Sequence, residues 1–199
     1  MKKDGGIFFD DYAFRTGDEE DIKLLDELVA MFEDGQLHTA SLIKVQNSFD
    51  FKTPLNVVFA SYKPERDFVK RMVRDENARK VGSWIKSLDV GFYSVEYSWR
   101  KGEHPKQGSF NPDFFIKIGN DILVLEIKAD TDVSDENRAK LKYAREHFDR
   151  INNLQSEYRY YFKFLSPQSY DLFFQSLREG EYHDFKSEIE ANLEENTVS

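Results

Sequence analysis

The chain contains no cysteine, only 5 prolines in 199 residues, and no long hydrophobic run. The lack of cysteine excludes disulfides and thiolate metal sites, and is compatible with an intracellular protein. No apolar run approaches the length of a membrane span, and the N-terminus lacks the apolar segment of a signal peptide. We therefore expect a cytoplasmic protein.

An excess of positive charge is also missing. The formal net charge is −9, and it is unevenly distributed. Residues 1–34 carry 11 acidic and 4 basic side chains, residues 180–199 carry 6 and 1, and residues 35–179 carry 20 and 23. An acidic chain binds nucleic acid poorly by itself. Any bound DNA would be held by the mildly basic centre, or another domain or subunit would supply most of the affinity.

Aromatic residues are abundant, with 18 Phe, 10 Tyr and 2 Trp, enough to pack a core in a chain of this length. Apolar periodicity predicts helices over 18–34, from Pro64 onward, over 76–88, 134–154 and 167–177, and a helix or tail over 183–193. It predicts strands over 55–62, 91–99, 110–118, 121–128 and 158–165, with a polar loop over 100–108. This order favours an α/β fold with a mixed sheet.

Two short fragments carry the strongest chemical signal, Pro112-Asp113 and Glu126-Ile127-Lys128. Gly119-Asn120 lies between the two predicted strands and predicts a hairpin turn, which would bring both fragments to one strand end. Alternation along a strand places Glu126 and Lys128 on the same face. Two carboxylates and an ammonium suit a divalent metal beside a phosphate and an activated water.

These fragments resemble the motif of the PD-(D/E)xK nucleases, which have the restriction-endonuclease fold. The stretch from Lys63 to Phe164 looks most like the C-terminal endonuclease domain of type III restriction enzymes and related helicase–nucleases. The wider match consists of Pro64–Phe68, Trp84-Ile85-Lys86, Gly91-Phe92-Tyr93, Phe110–Phe114, and Asn137 with Lys140. It covers about half of the chain. The resemblance implies a nuclease core over 63–178, with a leader or linker over 1–17, a helical and strand extension over 18–62, and an acidic helix or tail over 179–199.

The resemblance also implies the roles of particular residues. Asp113 and Glu126, with the backbone carbonyl of Ile127, would bind Mg²⁺, for which Mn²⁺ could substitute. A metal-bound water would attack the phosphodiester, while Lys128 would orient that water or offset charge on phosphorus. Glu65 matches an additional acid that many members use as a ligand, although a glutamate after proline at a helix start also fits a plain dipole contact.

Other polar residues have an ordinary explanation beside the functional one. Lys140 and Asn137 would face the phosphate from the following helix, or else form a solvated helix face. Lys101 and Lys106, with Arg100 and Gln107, are candidates for DNA backbone contact, although loop charges are commonly just solvated. Asp130 and Asp132 could join the site or be ordinary loop acids. Glu126 and Lys128 could themselves be a solvent-facing ion pair.

The resemblance predicts a Mg²⁺-dependent DNA endonuclease of a restriction or anti-phage defence system. The chain has no Walker A pattern, so a helicase or ATPase module would be a separate domain or subunit, and a homodimer would allow both strands to be cut. The alternative is a catalytically inactive nuclease-fold module in a DNA-processing complex. A nuclease acting on RNA or branched DNA is a third interpretation.

Overall fold

A computed structural model of the protein describes residues 5–6, 41–45, 52–53, 57–60, 62–87 and 93–195. Its strands are β1 (Gly5–Gly6), β2 (Ser41–Lys44), β3 (Val57–Ala60), β4 (Ser83–Lys86), β5 (Val95–Lys101), β6 (His104–Phe110), β7 (Phe114–Ile118), β8 (Asp121–Ile127) and β9 (Arg159–Leu165). Its α-helices are α1 (Lys63–Met72), α2 (Asp75–Ala78), α3 (Asp135–Leu154), α4 (Tyr170–Glu179) and α5 (Glu188–Glu195), with a 3₁₀ turn at Pro167–Ser169. None of the helices within these ranges combines the length and apolar character needed to cross a membrane.

The central sheet has the strand order β4-β7-β8-β9. The pairs β4–β7 and β7–β8 are antiparallel, whereas β8 and β9 are parallel. Parallel neighbours need a long connection, and α3 provides it. The predicted α/β fold with a mixed sheet flanked by helices is confirmed.

The predicted hairpin is present as β7–β8. Ile118 pairs with Asp121 across a two-residue turn, and Gly119 in that turn has φ +59°, a value that glycine adopts without strain. The first strand begins at Phe114 rather than at residue 110, because residues 111–113 leave the ladder after β6. The hairpin therefore places Asp113 just before β7 and Glu126 near the end of β8.

Each face of the sheet is covered by a separate apolar cluster. On one face, Leu123 and Leu125 pack with Phe68 of α1 and Phe173 of α4. On the other face, Val124 packs in a cluster that includes the following residues: Val95, Phe110, Leu141, Phe148, Phe162, Ile189 and Leu193. The alternation of β8 sends neighbouring residues into opposite clusters. Both faces of β8 therefore lie against apolar clusters, and a charged residue such as Glu126 within this strand is unusual.

Helix α3 begins where the sequence predicts. The hydroxyl of Ser134 accepts a hydrogen bond from the backbone N–H of Asn137, and Asp135 and Glu136 occupy the first turn, where acidic side chains favour the helix dipole. Its buried apolar residues are Leu141, Ala144 and Phe148, whereas Leu154 at its end is exposed.

Two predicted elements are wrong. The helix predicted over 76–88 is only the four residues of α2, and Ser83–Lys86 is an edge strand of the sheet. The polar loop predicted over 100–108 is mostly β-structure, since β5 and β6 pair from Val95↔Phe110 to Lys101↔His104. The C-terminal segment contains a helix, α5, which packs against α3 and β9.

The N-terminal part contributes a three-stranded sheet of order β1-β3-β2. Ile43, Val45 and Val58 from this part join the cluster around Phe68. The helix predicted over 18–34 lies outside the described residues. The division into four segments stays a prediction.

Candidate active site

A cleft of about 620 Å³ opens at the end of the sheet where β4 and β8 end and β7 begins. Its lining residues are Tyr62, Pro64, Glu65, Lys86, Ser87, Ser109, Phe110, Asn111, Asp113, Ile127, Lys128, Ala129 and Asp132. Four separate parts of the chain therefore meet there: the start of α1, the end of β4, the β6–β7 connection and the segment after β8.

Asp113 is held by the end of the neighbouring strand. Its Oδ2 accepts a hydrogen bond of 2.6 Å from the backbone N–H of Ile127. Burial, followed by the negative charge of Glu126, raises the pKa of Asp113 from 3.8 to about 7, against the opposing effects of Lys86, Lys128 and this hydrogen bond. Ionisation of Asp113 is therefore costly while Glu126 carries a negative charge at the same end of the sheet.

Glu126 is almost completely buried, and among the described residues only one of its two carboxylate oxygens has a partner. Oε1 lies 2.7 Å from the Nζ of Lys128, while Oε2 is buried and has no hydrogen-bond partner among the described residues. Burial raises the pKa of Glu126 despite the nearby charge of Lys128. Burial alone would lower the pKa of Lys128, but the charges of Glu126 and Asp113 raise it to about 12. Lys128 is therefore a fixed cation at neutral pH.

Glu65 lies in the first turn of α1 and is mostly buried. Its Oε2 is 3.0 Å from the Nζ of Lys86, at the end of β4. A favourable contact with the dipole of α1 does not fully explain the position of Glu65, because its carboxylate also forms a buried ion pair at the cleft. Glu65 also adds to the repulsion that raises the pKa of Glu126.

Lys86 is a functional candidate that the sequence reasoning missed. It is 2% exposed, and its Nζ lies 5.8 Å above the ring of Phe114. Trp84 and Lys86 are the two buried residues of a strand with alternating burial. The sequence predicts a helix here, and a helix does not have this alternation. Alternating burial along a strand is the signal that identifies Lys86 as a buried residue.

Lys140 lies close to this site on α3. Its Nζ is 3.4 Å from the carboxylate of Glu136 and lies over the rings of Tyr97 and Phe110 at 5.4 and 5.7 Å. Tyr97 donates a hydrogen bond of 2.6 Å to Glu136. The positive charge of Lys140 opposes the raised pKa of Glu126, so it acts on the same carboxylate as Lys128.

The other polar candidates are spread over three places. Asn137 is buried and its side-chain amide donates to the carbonyl of Asp132, which leaves it little surface for DNA. Arg100, Lys101 and Lys106 are exposed on the β5–β6 hairpin, as is Gln107. Asp130 accepts a hydrogen bond from the backbone N–H of Gln168, whereas Asp132 lines the cleft. Nucleic-acid contact by Asn137, Lys101, Lys106 and Lys140 stays a prediction.

The donor set fits a hard divalent cation in its chemistry. Among the described residues no group of three or more His, Asp or Glu side chains is arranged to hold a metal, and Glu65 and Glu126 are each paired with a lysine. The available ligands are all oxygens, and the Oε2 of Glu126, which has no partner within the described part of the chain, is a buried acceptor beside a second carboxylate, Asp113. Such oxygen ligands are the kind that Mg²⁺ prefers.

The chain matches no protein-family model, no curated protein and no solved structure in the three comparisons. The resemblance to nucleases therefore stays a prediction based on the motif residues.

Proposed function

We propose that this protein is a Mg²⁺-dependent DNA endonuclease with a restriction-endonuclease-like core. The observation that carries the proposal is the pair of carboxylates Asp113 and Glu126 beside Lys128 at one end of a hairpin: Glu126 is buried, while the partly buried Asp113 lines the cleft together with Lys128. Burial of acidic groups with raised pKa values costs stability, and such groups are found preferentially at functional sites. A bound cation would stabilise both carboxylates.

Each residue of the site has a distinct role in the proposal. Asp113 and Glu126, the carbonyl of Ile127 and, as a further ligand, Glu65 would hold Mg²⁺ or Mn²⁺. When bound, such an ion polarises the phosphoryl group and lowers the pKa of a water molecule. Lys128 keeps its proton at neutral pH, because its pKa is raised to about 12, so it offers positive charge to the phosphate and does not act as a base.

The β5–β6 hairpin is the proposed contact with the DNA backbone. Its base reaches the cleft at Ser109 and Phe110, and its far part carries the exposed cations Arg100, Lys101 and Lys106. Cations on such an arm would bind phosphates without reading sequence. Lys140, beside Glu126, would be the corresponding cation nearer to the reacting phosphate.

A partner would compensate for the acidity of the chain. A net charge of −9 opposes binding to a polyanion, and the few exposed cations of the hairpin offset it only locally. We propose that a helicase or ATPase module, in a restriction or anti-phage system, brings the DNA to the cleft, and that a second copy of the chain would supply the second cut.

A specific observation favours an inactive interaction module as the second candidate. Glu65 and Glu126 are each paired with a lysine, so part of their negative charge is compensated without an added ion. A nuclease fold that had lost turnover could keep these pairs as structural contacts. Cleavage of DNA in the presence of Mg²⁺ or Mn²⁺ distinguishes the two functions.

The test is cleavage of plasmid and linear DNA by the 199-residue chain in Mg²⁺ or Mn²⁺. We expect cleavage by the wild type, and its loss in Asp113→Asn and Lys128→Met. Asp121→Asn is the matched control, because Asp121 lies at the turn end of the same hairpin and accepts hydrogen bonds from Tyr182 and His183. Cleavage that survives in both site variants would contradict the assignment. Binding of Mn²⁺ without cleavage of duplex DNA, branched DNA or RNA, at nucleic-acid concentrations high enough to offset weak binding by the acidic chain, would overturn the endonuclease assignment and favour the interaction module.

A further inference from the structure

Lys86 is a buried cation at the cleft without a role in the motif. It stands at the end of β4, where its register partner is Phe114, the residue next to Asp113. Its ammonium group is 3.0 Å from Glu65, and its charge acts on Asp113 as well. A buried lysine is costly unless its charge is compensated, and these two carboxylates compensate it.

The charges of the site are nearly balanced in the absence of a metal. Three carboxylates, on Glu65, Asp113 and Glu126, face two ammonium groups, on Lys86 and Lys128, and the charge of Lys140 acts on Glu126 as well. A divalent cation that entered this group would meet the same carboxylates that the two lysines already neutralise. The lysines and the cation would therefore oppose each other electrostatically.

We propose that Lys86 is a positioning residue that serves as a built-in counter-ion for Glu65 and Asp113, and that it thereby limits the affinity of the cleft for a divalent cation. This inference rests on the proposed metal site and deepens it. Lys128 also pairs with a carboxylate, but the resemblance gives it a role toward phosphate. Lys86 is mostly enclosed, so its effect is on the carboxylates.

Calorimetric titration of MnCl₂ into the wild type and Lys86 variants tests this role. Lys86→Met keeps most of the side-chain volume and removes the charge, so we expect Mn²⁺ to bind on the order of tenfold more tightly. Lys86→Arg keeps the charge and should bind Mn²⁺ like the wild type. Lys86→Gln, a polar neutral variant, should behave like Lys86→Met, and it serves if the methionine variant does not fold.

Lys163→Met is the matched control for burial. Lys163 is also a buried lysine, but it donates to the carbonyls of His183 and Phe185 and does not line the cleft. Its loss should destabilise the fold and leave the Mn²⁺ affinity unchanged. A purely structural Lys86 would give unchanged or weaker Mn²⁺ binding in Lys86→Met, and that result overturns the inference while the metal site stands. Absence of Mn²⁺ binding in the wild type would overturn the proposed metal site itself.

Discussion

Two glutamates are buried next to the same residue of the central sheet, and their surroundings differ. Glu126 on β8 is the register partner of Phe164, while Glu190 on α5 accepts a hydrogen bond of 3.1 Å from the backbone N–H of Phe164. Both are 3% exposed, and burial raises the pKa of both. Glu190 uses both oxygens, because Oε1 also pairs with Arg145, whereas the Oε2 of Glu126 has no hydrogen-bond partner among the described residues.

The difference separates a structural acid from a candidate functional one. Glu190 ties α5 to α3 and β9 through partners that satisfy its charge, so its burial is explained by the fold. Among the described residues, one acceptor oxygen of Glu126 has no partner, and it lies beside Asp113, a second, partly buried acid whose pKa is about 7. A buried acid without enough partners requires another explanation, and a bound cation supplies one.

The largest expected effect is on catalysis. Glu126→Gln removes a charge that the proposed metal needs, so we expect DNA cleavage to fall roughly 10³-fold, the scale for removal of one important electrostatic group. Glu190→Gln makes the same chemical change at the structural acid, and cleavage per folded molecule should stay near the wild-type value. Initial rates of plasmid nicking in Mg²⁺ give both values. Equal losses in the two variants would remove the distinction.

The next effect is on stability. Glu190→Ala leaves Arg145 and the N–H of Phe164 without their buried partner, although Arg145 keeps Glu194. We expect the free energy of unfolding to fall by about 2–3 kcal/mol. Glu126→Gln should cost far less, because it relieves repulsion with Asp113 while it weakens the contact with Lys128. Urea unfolding in EDTA measures both, and a larger loss for Glu126→Gln would contradict this account.

The smallest effect is a pH dependence in the absence of metal. The folded pKa of Asp113 is about 7, above its ordinary 3.8, so the folded state holds the proton more tightly than the unfolded state. This contribution is fully present below about pH 4 and is lost as the pH rises through 7. Relative to Asp113→Asn, the wild type should lose about 1 kcal/mol or more between pH 5 and pH 8. Thermal unfolding in EDTA tests it; a constant difference between the two proteins would be the contrary result.

The sequence predicts the surroundings of Glu126, the candidate functional acid, better than those of Glu190, the structural acid. The turn at Gly119-Asn120 and the alternation of Glu126 and Lys128 predict the hairpin and its acidic end, and both are local signals. Trp84 and Ile85 have neighbours at helical spacing, so β4 looked helical and Lys86 was overlooked. Among the described strands β6 pairs with β5 alone, and it is mostly exposed and contains Pro105 and Gly108, a composition typical of a loop.

The structural glutamate could not be found from the sequence. Glu190 lies in a segment rich in acidic residues, and only the packing of α5 against α3 and β9 determines that this one is buried. The same limit applies to Glu65, whose position after Pro64 predicts a helix start but not its ion pair with Lys86. Long-range pairing, which local patterns do not contain, decided both.

The most direct test of the central claim is a crystal structure of the wild type soaked in Mn²⁺, with the ion located by anomalous diffraction. We expect an anomalous peak between Asp113 and Glu126, with the Oε2 of Glu126 as a ligand, and no peak at Glu190. A saturating soak that leaves Glu126 paired only with Lys128 and shows no peak at the cleft would contradict it.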